Sequence, residues 1–369
     1  MSHIDPSIFT NRITRTQDVL KENGVGALLV GPSADMAWLI GIEGHLSERL
    51  TLLVVPSEGE PSLIVPALEA PLVSAASSLV ETLPWSDHDD PTTVASKAIN
   101  PREGTTLAVG NQLWSAFLLR LQARIQGARW VEGTPLLRDL RMIKDAFEIE
   151  ALSEAARLTD EAWEEFITSG PIAGLTELQA LQRLLDISAA KGLSNPNGII
   201  GSGPNSASPH HGGNDRIIQQ GDAIVFDWGG KVNGYLSDVT RCAHIGEPGE
   251  EYRTVYDAVL RANQAAFDAV RPGVPLQEID RAARSVITEA GYGPYFLHRV
   301  GHGLGLEVHE EPYLVEGNEL PLAAGMTFSD EPGIYLEGRF GVRIEDTVLC
   351  TDDGGKRLNN ATRELIVLE

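Results

Sequence analysis

Between Asp227 and Glu345 the sequence sets acidic residues and a histidine inside short apolar runs, which few folds can accommodate. The stretch opens Val-Phe-Asp227-Trp-Gly-Gly-Lys-Val-Asn233-Gly234-Tyr-Leu-Ser-Asp238-Val-Thr240-Arg. It continues through Gly301-His302-Gly-Leu-Gly-Leu-Glu-Val-His309-Glu and closes with Ser-Asp-Glu331-Pro-Gly-Ile-Tyr and Val-Arg343-Ile-Glu345-Asp-Thr. A buried charge without a partner is very costly, so such a pattern calls for counter-cations. Two aspartates, two glutamates and one histidine make a hard-cation ligand set. Four carboxylates match the charge of two divalent ions, and oxygen-rich coordination with one imidazole suits Mn²⁺, Co²⁺ or Zn²⁺, of which Mn²⁺ is expected first. Such a pair activates water and polarises a carbonyl, the chemistry of amide hydrolysis.

The spacing supports that reading piece by piece. Asn233-Gly234 between apolar-rich runs is a strong hairpin signal and brings Asp227 and Asp238 onto neighbouring strands. Thr240, two residues beyond Asp238, projects from the same face and can orient a ligand. Glycines around His302 leave backbone room for a ligand. The run lacks the GxGxxG spacing of a phosphate loop, and His309-Glu-Glu-Pro-Tyr313 is not HExxH. Glu345 shares a strand face with Arg343, so either Arg343 or a metal satisfies it; in the second case Arg343 is left to meet substrate.

The chain of 369 residues exceeds one ordinary core, so two domains are expected, residues 1–135 and 136–369. In the first, apolar runs 26–30, 50–56, 62–66, 105–110 and 128–132 read as strands. Segments 7–22, 67–78 and 111–126 read as helices, giving an α/β layer. Lone His45 and His88 read as surface or structural residues. In the second, helices are expected to about residue 168 and over 176–191, 250–270 and 276–290. The Gly/Pro/Asn-rich segment 192–215, with Pro-His210-His211, reads as irregular. A formal charge of −23 argues against nucleic acid and anionic membranes. No apolar run nears the roughly 18 residues of a membrane span, and no leader pattern is present, so a cytoplasmic location is expected. Cys242 and Cys350 are too few for a disulfide framework and read as small buried hydrophobes.

These motifs resemble the M24 "pita-bread" metallopeptidases, in the branch of Xaa-Pro aminopeptidase and prolidase, from about Arg141 to Glu369. The resemblance implies an α+β catalytic domain with its metals in a central curved antiparallel sheet, held by Asp227, Asp238, His302, Glu331 and Glu345. It implies a creatinase-type α/β domain before it, ending near Arg141 and Lys144. By the same likeness His210 and His309 contact the scissile carbonyl, and Glu331 shuttles the proton from nucleophile to leaving nitrogen. Arg343, His298 and Tyr313 would meet substrate, a proline-containing peptide, and the chain would be a homodimer.

One departure decides the finer expectation. Dipeptide-specific prolidases often carry an arginine at the position of Tyr313, where it holds the free carboxylate. Tyr313 in this place points to an aminopeptidase acting on longer Xaa-Pro peptides, with prolidase as the alternative and a non-peptide C–N amidohydrolase after it. A catalytically dead binding relative would have lost ligands, and none is missing.

Overall fold

The computed structural model describes residues 4–369. The chain divides into two compact units, one reaching to Arg141 and one running Met142–Glu369. The first contains, in order, α1 (Pro6–Glu22), β1 (Ala27–Val30), α2 (Ala34–Ile40), β2 (Leu52–Pro56), β3 (Ser62–Pro66), β4 (Glu81–Trp85), α3 (Pro91–Ile99), β5 (Thr106–Val109), α4 (Ser115–Arg124), β6 (Arg129–Glu132) and α5 (Thr134–Met142). One mixed sheet in the order β4-β3-β2-β1-β5-β6 forms its centre. Leu29, Leu52, Val54, Ile64 and Leu107 pack there with Phe117 and Leu121 of α4.

Five of these strands stand where apolar runs announce them. β4 does not announce itself: it is an edge strand, largely solvent-facing and containing Pro84, so it needs neither an apolar run nor a complete set of N–H donors. The segment read as a helix over 67–78 winds as a 3₁₀ helix over Ala70–Ala76. The short helices α2 and α3 are set by caps rather than periodicity: Ser33 accepts from Met36 N–H, and Asp90 from Thr92 N–H ahead of Pro91. The units divide later than residue 135 because the end of α5 is tied to the first unit. Arg141 Nη1 donates to the buried carboxylate of Asp35 at 2.7 Å.

The second unit contains α6 (Ala146–Thr168), α7 (Glu177–Lys191), β7 (Ser194–Ser202), β8 (Ala223–Val232), β9 (Tyr235–Leu236), β10 (Val239–Ile245), α8 (Glu250–Ala269) and α9 (Leu276–Glu289). It continues with β11 (Gly301–Gly303), β12 (Glu310–Leu314), β13 (Thr327–Asp330), β14 (Gly333–Leu336), β15 (Phe340–Arg343), β16 (Asp346–Thr351), β17 (Gly354–Arg357) and β18 (Ile366–Leu368). Helices α6 and α7 both start with a capping box, Asp145 with Glu148 and Thr176 with Gln179. Two sheets, β18-β10-β8-β7 and β12-β11-β13-β16-β17, lie beside the hairpin β14–β15. An antiparallel bridge between Thr240 and Glu345 ties β10 to the turn between β15 and β16. Segment 194–202, read as irregular, is strand β7. It is an edge strand with a register irregularity between Ser194 and Asn197, which lets Asn and Pro sit in it.

Alternation along β8 decides which side chain points where. Ile224, Phe226 and Trp228 pack with Trp163, Phe166 and Leu184 of α6 and α7. Val225 faces the opposite way, into the core of α8 and α9 with Val255, Val259 and Ile279. Asp227, two residues on from Val225, emerges on that second face beyond the apolar layer.

Candidate functional site

The turn at Asn233 and Gly234 has positive φ at both residues, 51° and 91°, as a tight hairpin requires. After it the chain pairs back along β8, with Thr240 opposite Asp227, so Asp238 falls just before the paired segment and close to Asp227. His302 comes from β11, Glu331 from the junction of β13 and β14, and Glu345 from the junction of β15 and β16. Asp238, His302 and Glu345 each offer one ligand atom, all within 4.8 Å of one another. His302 Nε2 is 3.1 Å from Glu331 Oε1 and 3.8 Å from Asp238 Oδ2. Asp227 accepts from Arg343 Nη2 at 2.6 Å.

Electrostatics mark this cluster as short of positive charge. Burial, and then mutual repulsion with Asp227 and Glu331, pushes Asp238 well above the usual carboxylate range. Glu345 is raised in the same way by burial and by Asp238. Burial alone would raise Glu331 too, but His302, His298 and Arg343 hold it at about 2. Burial alone would lower His302, but Glu331 and Asp238 outweigh it and raise its pKa.

These residues fit a divalent metal centre. Buried carboxylates that repel one another are stabilised by a cation among them. His302 Nδ1 donates to the carbonyl of Gly303 at 3.2 Å, which fixes the tautomer and leaves Nε2 to coordinate. Thr240 Oγ1 donates to Glu345 Oε2 at 2.6 Å and orients it, while Ser329 Oγ donates to Glu331 Oε1 at 3.1 Å.

A cavity of about 800 Å³ opens over the cluster, lined by all five of these residues together with His210, His298, Arg299, His309 and Arg343. That volume accommodates a small peptide. His302 and His309 meet edge to face, 4.2 Å between ring centres. Arg343 is almost wholly buried, and its guanidinium reaches Asp227, Thr240, the Pro209 carbonyl and Tyr335. Its geometry is that of a brace that also borders the cavity. His298 Nδ1 donates to the Arg299 carbonyl, so its Nε2 accepts from the hydroxyl of Tyr335 at 2.9 Å. Tyr335 in turn accepts from Arg343 at 3.0 Å, and burial raises its phenol to about 12. His211 turns away, to Glu177 at 2.8 Å.

Tyr313 does not line this cavity. Its ring lies beneath the guanidinium of Arg299, 4.2 Å from ring centre to Cζ. The residue expected here as a substrate contact is thus not among those lining the cavity, whereas its neighbour Arg299 is. Arg299 has no carboxylate partner among the described residues. Its only sequence signal was its place in His298-Arg299-Val-Gly-His302, beside the ligand motif.

Residues 150–352 match the profile of metallopeptidase family M24, and residues 12–143 that of the creatinase/prolidase N-terminal domain. The chain belongs to metallopeptidase family M24. As an M24 member it is a peptidase, with the creatinase-type first domain and pita-bread second domain that the motifs led one to expect. It is 41% identical to a probable dipeptidase, PepE, of Mycobacterium tuberculosis, over 99% of this chain and 98% of that one. It is 33% identical to an Xaa-Pro dipeptidase of Lactobacillus delbrueckii over 96% and 98%. A prolidase structure from Thermococcus sibiricus superposes with a TM-score of 0.93 at 37% identity, each chain covered completely. These M24 relatives carry dipeptidase names, which favours the alternative in the sequence reading over its aminopeptidase expectation.

Proposed function

We propose that this chain is an Xaa-Pro dipeptidase, hydrolysing dipeptides whose second residue is proline. Arg299 carries the reading. A cation on the cavity wall, steadied by an aromatic ring and without a carboxylate partner among the described residues, suits the free α-carboxylate of a dipeptide. The arginine often found at position 313 is replaced in function by one that stacks on Tyr313. The names of the relatives support the same choice.

In this reading Asp227, Asp238, His302, Glu331 and Glu345 hold two divalent cations, which supply Lewis-acid polarisation and an acidified water. Glu331 accepts a proton from the attacking water and returns it to the proline nitrogen as the C–N bond breaks. That nitrogen belongs to a tertiary amide without N–H, so proton delivery at this atom is what the cleavage demands. His210 and His309 donate to the carbonyl oxygen as it gains charge, each contributing about 3 kcal/mol. Burial, followed by the nearby His302, lowers the pKa of His309, so it acts as a neutral donor.

The test is cleavage of Ala-Pro, Ala-Pro-amide and Ala-Pro-Ala by metal-depleted protein after Mn²⁺, Co²⁺ or Zn²⁺ is restored. Preference for Ala-Pro over both others is expected. Equal or better turnover of Ala-Pro-Ala would return the assignment to an aminopeptidase. No turnover of any peptide by metal-loaded protein would point to a non-peptide amide.

A further inference from the structure

His210 makes no hydrogen bond with any described residue, although it stands exposed on the cavity wall. Its imidazole is therefore placed by the backbone that carries it, and that backbone is held from two sides. On one side Arg343 Nη1 donates to the carbonyl of Pro209 at 3.2 Å, and Gly341 N–H donates to Ser206 Oγ at 2.9 Å. On the other side stands Glu177, the first residue of α7, with no solvent exposure.

The Glu177 carboxylate gathers the segment around His210 from both directions. Oε1 accepts from Ser202 N–H and Oγ, both at 2.6 Å, and from Asn205 Nδ2 at 3.1 Å. Oε2 accepts from Asn205 Nδ2 at 3.2 Å, His211 Nε2 at 2.8 Å and Asn214 N–H at 3.1 Å. Every neighbour is a donor, which only an ionised, acceptor-only group can satisfy. Arg216, paired with Asp222, donates to the same Ser202 hydroxyl at 2.7 Å and extends the network. Burial alone would raise the Glu177 pKa, but the hydrogen bonds from Ser202, His211 and Asn205 prevail and lower it. The N-terminal end of α7 favours the same negative charge.

We infer that Glu177 is a positioning residue for His210: its carboxylate fixes segment 202–214 so that the unsupported imidazole meets the substrate carbonyl. The inference rests on the peptidase reading for what His210 does, but not for how the segment is held. Glu177→Gln keeps the shape and replaces one acceptor oxygen by an NH₂ that faces other donors, so at least half of the network is lost.

Three readouts decide it. In Glu177→Gln, kcat for Ala-Pro falls about 10- to 100-fold with KM changed less than threefold. Amide hydrogen exchange across 202–214 speeds up at least tenfold, and the His210 Cε1–H resonance shifts or broadens. In a His210→Ala background the same substitution lowers kcat less than twofold further. The milder His211→Ala, which removes one donor and leaves the carboxylate, lowers kcat about threefold to tenfold and serves if Glu177→Gln does not fold. Unchanged exchange and kcat in either variant would overturn the inference, as would an equal fold-loss in the wild-type and His210→Ala backgrounds. If the wild-type protein cleaves no peptide, the proposed function fails, whereas exchange and the His210 resonance still decide the role of Glu177.

Discussion

Lys144 Nζ donates to Glu310 Oε1 at 2.8 Å, and both side chains are nearly excluded from solvent. The pair fastens the segment ahead of α6 to the residue that follows His309. Lys144→Met leaves a buried carboxylate without its cation and should destabilise the protein by about 3 to 5 kcal/mol. Urea unfolding measures this. Adding Glu310→Gln should restore part of the loss, and an unshifted midpoint in Lys144→Met would reduce the pair to the weight of an exposed salt bridge.

Arg299→Ala should raise KM for Ala-Pro by roughly 30-fold, the equivalent of about 2 kcal/mol from a lost charged hydrogen bond. KM for Ala-Pro-amide should stay within about twofold, because that substrate has no carboxylate to lose. Arg299→Lys should recover only part of the difference, since an ammonium lacks the planar fork that stacks on Tyr313. Steady-state kinetics with the two substrates side by side separates these outcomes.

Chelation and re-addition of metal test the charge balance of the cluster. Repulsion among Asp238, Glu345 and their neighbours is relieved by divalent cations, so Mn²⁺ at about 100 times its Kd should stabilise the fold by about 2.7 kcal/mol per site. Differential scanning fluorimetry reads this as a rise in Tm. His302→Ala should abolish most of that rise and reduce turnover by more than about a hundredfold. A Tm insensitive to metal in the wild-type protein would remove the basis for the centre.

Gly301 precedes His302 where β11 passes β13 with no room for a side chain: a Cβ there would lie 1.8 Å from the carbonyl oxygen of Ser329. Gly301→Ala must push the strands apart and should cost about 2 to 3 kcal/mol. Bound metal counted by elemental analysis should drop with it, because His302 moves with its strand. A wild-type melting curve would contradict the close approach.

The five proposed ligands could be found from sequence because each lies in a short run whose flanks constrain it locally: the Asn233-Gly234 turn, the glycines around His302, Pro332 after Glu331. Edge strands β4 and β7 escaped notice because an edge position relaxes both the apolar pattern and the donor requirement that make a strand visible. The surroundings of Tyr313 are hidden from sequence for another reason. Spacing along the chain cannot reveal that Arg299, next to β11, lies across the ring of a residue on β12. Glu177 looked like an ordinary acidic residue in the first turn of a helix, and its six donor contacts come from residues 25 to 37 positions away.

The bridge between Thr240 and Glu345 has a consequence for the order of assembly. Asp227 lies in one sheet with Asp238 just ahead of its strand β10, whereas His302 lies in β11 of the other sheet and Glu331 and Glu345 stand at junctions between that sheet and the adjoining hairpin. If these five residues are the ligands, a chain in which a single sheet has formed would carry only part of the chelate. On that ligand set, metal binding and hydrolysis would both wait on the meeting of the two sheets.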